Sequence, residues 1–151
     1  MFTSSAAPVN KEKYTSKTVT GSYGSEEHIA LDRIHNSTGH KESYWDVPAG
    51  YKVTKVSGLN GYKYGTSKVT AEGYYADGSS KLFLNGAGIA HWETNSKAKT
   101  YTLTDSDRNG LVKIRMKIYH GDSNETNDCN LVSQIYYQKA SVSTTSSWEP
   151  Y

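Results

Sequence analysis

Gly110-Leu111-Val112-Lys113-Ile114-Arg115-Met116-Lys117-Ile118-Tyr119-His120 is the stretch from which the fold class follows. Val112, Ile114, Met116 and Ile118 take alternate positions, and Lys113, Arg115, Lys117 and Tyr119 fill the gaps. Successive side chains of a strand point to opposite faces, so a repeat of two describes a strand with one buried and one wetted face. Asn109-Gly110 marks its start and His120-Gly121-Asp122 its end.

The neighbouring segments follow the same pattern. Residues 100–104 form a strand that reaches the opening one through a turn over 105–109. Downstream, over 131–139, Leu131, Ser133, Ile135 and Tyr137 oppose Val132, Gln134, Tyr136 and Gln138. Upstream, Val69, Ala71, Gly73 and Tyr75 alternate with Lys68, Thr70, Glu72 and Tyr74. Asp77-Gly78 predicts a hairpin turn into a strand at 81–84, and Asn85-Gly86 a second one into 87–92. Earlier strands are expected at 14–23, 28–35, 44–47 and 51–57, with 36–40 as loop, Gly58-Leu59-Asn60-Gly61 as a turn and a short strand at 62–64. A helix at 26–33 with Ser25 as its cap has no second apolar row, so the strand is preferred there. Eight to ten short strands with turn signals every eight to twelve residues and no convincing helix predict an all-β chain. The expected architecture is a single-domain antiparallel β-sandwich of jelly-roll or Greek-key type. No fixed-period repeat favours a propeller or a trefoil. Residues 1–12 read as a flexible N-terminal arm, 13–139 as the sandwich and 140–151 as a Ser/Thr-rich tail.

Composition narrows the function. A chain of 151 residues is one domain with room for a core. Seventeen basic against 15 acidic side chains give a formal charge of +2, without the strongly basic face that nucleic acid demands. The Lys113–Arg115–Lys117 stripe is then a solvated strand face. No run approaches the roughly 18 apolar residues of a membrane span. The single cysteine, Cys129, excludes an internal disulfide and lacks a partner at metal-ligand spacing. The first residues lack a charged and apolar leader pattern, so a protein acting outside the cell would have lost its signal or left by lysis, injection or assembly into a particle.

No motif asks for catalysis. The histidines at 28, 35, 40, 91 and 120 never take a zinc-protease spacing, and no nucleophile elbow or phosphate loop occurs. Most acidic residues sit where turns favour Asp for backbone reasons. The expectation is a non-enzymatic protein, with a small glycan-cleaving enzyme well behind. For metals, Asp105-Ser106-Asp107-Arg108-Asn109-Gly110 matches the first half of a calcium loop, with Asp105, Asp107 and Asn109 as the oxygen donors. The position that should supply a bidentate glutamate is Met116, so the stretch reads first as a tight turn, and Ca2+ is optional rather than required.

The 13 tyrosines beside two phenylalanines are the unusual feature. Tyrosine joins an apolar ring to a polar tip, which suits a strand face that binds sugars. On this reading Tyr74 faces outward, Gly88, Ala90 and Trp92 make a small-residue floor ending in a large ring, and His91, Asp77 and Asn85 form a polar rim. Asn36-Ser37-Thr38 and Asn124-Glu125-Thr126 fit the N-glycosylation pattern without fixing a compartment. Two functions remain. One is a carbohydrate-binding domain, a lectin or binding module with a glycan or polysaccharide as partner. The alternative is a structural or adhesive domain at a virus, phage or cell surface, assembling as a homo-oligomer, a trimer being the expected form, with extracellular or particle-surface location common to both.

Overall fold

The computed structural model describes residues 17–61, 66–89, 97–121 and 129–145, with side chains described between 22 and 141. Nine strands and one helical turn follow in order. They are β1 (Lys17–Tyr23), β2 (Glu27–His35), β3 (Gly39–Asp46), β4 (Tyr51–Asn60), β5 (Thr66–Tyr75), β6 (Ser80–Ile89), β7 (Lys97–Thr102), α1 (Asp105–Arg108), β8 (Leu111–Gly121) and β9 (Asn130–Thr145). One sheet has five strands, in the order β2-β9-β4-β7 with β1 also pairing with β9, and the other has four, β3-β8-β5-β6. Apart from the β5–β6 hairpin, the chain from β2 onward changes sheet at each connection, which makes β2 to β9 an eight-strand jelly roll.

The opening stretch is the centre of this arrangement. Ile114, Met116 and Ile118 of β8 are 0% exposed and meet Val56, Leu131 and Ile135 of the other sheet in one core cluster. Alternation carries further than expected at one end, because His120 is also 0% exposed. At the other end it fails: Val112 is 45% exposed. Tyr74 pairs with Lys113 and Tyr75 with Leu111, so Val112 has no partner on β5 and bulges out of the ladder.

Further boundaries differ from the sequence reading: β3 already starts at Gly39, inside the expected 36–40 loop, and β7 covers Lys97–Thr102 instead of 100–104. Gly58-Leu59-Asn60 is the end of β4, not a turn. Gly58 faces β5 across the core, where an added Cβ would lie 2.6 Å from Val69 Cβ, so glycine lets the two sheets close together. Asn85-Gly86 does not reverse the chain either. Strand β6 runs through it, and the pairing steps from Ala71↔Leu84 to Val69↔Ala87, a bulge with Gly86 at φ +64°. Residues 140–145, expected as tail, continue β9 and pair with β1 from Thr145↔Lys17 to Ala140↔Tyr23. The arm expected at 1–12, the strands expected at 62–64 and 90–92 and the second sequon lie outside the described residues.

Aromatic rings brace both flanks of the sandwich. Tyr137 of β9 packs on Trp45 of β3 and Tyr51 of β4, with centroids 6.0 and 4.7 Å away. On the opposite flank Phe83 of β6 stacks on Tyr101 of β7 at 5.1 Å. Tyr51, Tyr101 and Tyr137 therefore help join one sheet to the other.

Candidate functional site

The outward face expected for β5 is correct, and of the platform built on it the three described members, Tyr74, Asp77 and Asn85, lie apart. Tyr74 stands outside and donates its hydroxyl to Glu72 at 2.7 Å. That hydrogen bond, with burial and the Glu72 charge, pushes its phenol up to about 12. Its ring faces Tyr44, centroids 6.2 Å apart. Asp77 sits at the tip of the β5–β6 hairpin, where its carboxylate caps the Ser79 N–H at 2.9 Å. Tyr74 pairs with Ser80, and from there to Asn85 the strand rises roughly 16 Å. Asp77 and Asn85 thus lie in opposite directions from Tyr74. His91 and Trp92 lie outside the described residues.

Asp105, Asp107 and Asn109 belong to the α1 turn. Thr104 caps it: its hydroxyl accepts from the Asp107 N–H at 3.1 Å, while the Asp107 carboxylate accepts from the Thr104 N–H at 2.9 Å. The same carboxylate receives the Lys81 ammonium at 2.6 Å and the Tyr101 hydroxyl at 2.7 Å. Burial alone would raise this carboxyl; the Lys81, Thr104 and Tyr101 donors outweigh it and hold the group well below the usual carboxylate range. The Asp107 hydrogen bond in turn raises the Lys81 ammonium and the Tyr101 phenol. Asp105 points outward to Arg108, and Asn109 donates its backbone N–H to Ser106. The Asp105 and Asp107 carboxylates that the calcium reading requires are therefore already receiving protein donors. Among the described residues, no three His, Cys, Asp or Glu side chains gather as a metal-binding group.

This turn and the β5–β6 hairpin border a cleft of about 510 Å3, lined among others by Tyr75, Asp77, Ser79, Lys81, Asp107 and Asn109. Residues assigned from sequence to two different sites thus share one cleft. Its hydroxyl, amide and carboxylate groups can hydrogen-bond a polar ligand, but the Asp107 charge is spent on the fold.

Two clusters were not anticipated. Asn60 of β4, Ser67 of β5 and His120 of β8 form a buried polar chain: Asn60 Nδ2 donates to Ser67 Oγ at 3.1 Å, and Ser67 Oγ lies 2.9 Å from His120 Nδ1. A Ser–His pair of this length resembles an activated nucleophile, yet Ser67 is 1% and His120 0% exposed; the pair lies inside the sandwich, and the bond from Asn60 of β4 to Ser67 ties one sheet to the other. The second cluster, on the outer face of β3-β8-β5-β6, is a depression of about 250 Å3 lined by Lys68, Thr70, Gly86, Lys117 and Tyr119. Alternation alone puts four of these residues on one face; Gly86 joins them only through its bulge.

No protein-family model matches the chain, and no curated protein sequence matches it. Among solved structures, the VP2 subviral particle of infectious bursal disease virus is similar over 93% of this chain and 38% of that one, at a TM-score of 0.39 and 9% identity. The Gx strain of the same virus is similar over 99% of this chain and 41% of its own, at a TM-score of 0.39 and 8% identity. The chain spans less than half the length of these structures.

Proposed function

We propose that this jelly roll is a non-enzymatic structural or adhesive domain of a particle or cell surface that works by assembling with copies of itself. The observation that carries this reading is the ribbon made by β1 and the end of β9. Strand β4 accompanies β9 only as far as Tyr51↔Lys139, and β2 pairs with its first half. From Ala140 to Thr145, β9 has β1 as its sheet neighbour among the described residues. A two-stranded ribbon is marginal in water, and its open edges offer backbone donors and acceptors to a further strand. Strand addition from a neighbouring copy would satisfy them.

The outer face of the β2-β9-β4-β7 sheet supports the same reading. Ala30, Gln134, Ser57 and Thr100 make one row across all four strands, and Val132, Leu59 and Ala98 part of the next. These side chains are uncharged and the charged Arg33 of β2 closes the second row beside Val132, an uncharged centre with charge at its rim, as a protein interface tends to have.

Sedimentation velocity of the full chain and of a Thr20→Pro variant tests the proposal. Thr20 pairs with Val142, and proline removes its N–H from the ribbon. The expected result is an oligomer for the parent and a monomer for the variant, with identical near-UV circular dichroism. A parent that stays monomeric at every concentration reached would exclude self-assembly.

A further inference from the structure

The outer face of β3-β8-β5-β6 is charge-matched at one end and unmatched at the other. Towards the Asp46 end, Lys113 faces Asp46 at 3.8 Å, and Arg115 holds Glu42 at 2.8 Å and Glu72 at 3.4 Å. At the other end Lys68 pairs in register with Tyr119 and Thr70 with Lys117, which makes the two lysines diagonal neighbours across β5 and β8. Among the described residues neither has an ion-pair partner, and Glu42, opposite Lys117, turns its carboxylate to Arg115. Two like charges side by side on a sheet are unfavourable without an anion between them.

The space between them has a floor and a wall. The floor is the Gly86 bulge, whose N–H donates to Thr70 Oγ1 at 3.0 Å and so leaves the Thr70 hydroxyl its own hydrogen to donate. The wall is the Tyr119 ring, 41% exposed and laid along its own strand over Gly121. A Cβ on Gly121 would lie 2.8 Å from the Tyr119 hydroxyl, so the missing side chain is what lets the ring lie down. Lys68 Nζ stands 5.9 Å from the ring centroid, over the same wall.

We propose that this depression binds one anionic sugar residue, carrying a sulfate ester or a carboxylate. Lys68 and Lys117 hold the anionic group, the Tyr119 ring packs against the C–H face of the sugar, and Thr70 donates to a ring substituent. A bare inorganic anion would leave the ring and the floor unused. The volume of about 250 Å3 lies under the roughly 300 Å3 at which pockets begin to take drug-sized ligands, so it suits a single sugar ring of a longer chain. This site is independent of the assembly reading, since it lies on the opposite sheet from the ribbon.

The test is a titration of the full 15N-labelled chain at low salt with three probes: a sulfated heparin disaccharide, its unsulfated uronate-containing counterpart and sodium sulfate. The expected result is movement of the Lys68, Thr70, Gly86 and Tyr119 amides with one or both disaccharides, which also shows whether the sulfate or the carboxylate is the anion read. Lys68→Gln and Lys117→Gln should each weaken binding about tenfold, the loss of one charge-assisted hydrogen bond. Lys113→Gln, on the same face but matched by Asp46, should leave it unchanged. Equal weakening by Lys113→Gln would reduce the effect to the general field of the face. Sulfate binding as tightly as the sugars, or amides that do not move with any probe, would overturn the proposal.

Discussion

Asp107 holds several segments together at one end of the sandwich, receiving Lys81 from β6, Tyr101 from β7 and the backbone of Thr104. Its side chain is 1% exposed, so the charge is stable only because these donors replace water. Asp107→Asn keeps the shape and removes the charge; we expect a loss of about 2–3 kcal/mol in urea unfolding. The pH dependence has a definite sign. The folded carboxyl lies below its unfolded value of about 3.9, so its contribution is complete above that value and is lost as pH falls through the folded value. The gap between parent and Asp107→Asn should therefore stay constant above about pH 5 and close below about pH 4. The capping box was missed, although Thr104 three residues before Asp107 has its spacing. The calcium pattern over the same residues was the louder signal, and Lys81 and Tyr101 come from strands that no local pattern places beside it.

Strand β6 shows how one dipeptide can carry two meanings. Asp77-Gly78 and Asn85-Gly86 both spell a hairpin, and only the first reverses the chain. At the second, the Thr70 hydroxyl takes the Gly86 N–H, β5 continues alongside, and the extra residue leaves the ladder as a bulge. The outcome depends on what the opposite strand offers, which is not written in the dipeptide. Val112 is the same case on β8, where correct alternation at Ile114, Met116 and Ile118 does not reveal a bulge at the strand's start. Gly86→Val places a β-branched side chain at φ +64° and should cost about 1–3 kcal/mol. Thermal unfolding checks it, and Gly88→Val, on the same strand with open space around its Cβ, should shift the midpoint far less.

The two-layer architecture was legible because alternation needs only neighbouring residues, whereas the order of strands depends on contacts between distant segments. The tyrosine count pointed to something real but did not say which rings brace the flanks, as Tyr51, Tyr101 and Tyr137 do, and which lie open, as Tyr44 and Tyr119 do. Packing between layers is closest at Gly58, so Gly58→Ala should push the sheets apart and cost about 1–3 kcal/mol by overpacking, measurable by chemical denaturation. Lys17 and Thr145 face each other across the ribbon, and this geometry governs how the domain carries a mechanical load. A pull that separates these two positions opens the ladder one rung at a time, from Lys17↔Thr145 towards Tyr23↔Ala140, at low force. Beyond Ala140 the same strand is gripped by β2 on one side and β4 on the other, so the peeling front meets the sandwich and must break both ladders together. Loaded in this way, the ribbon would open before the jelly roll.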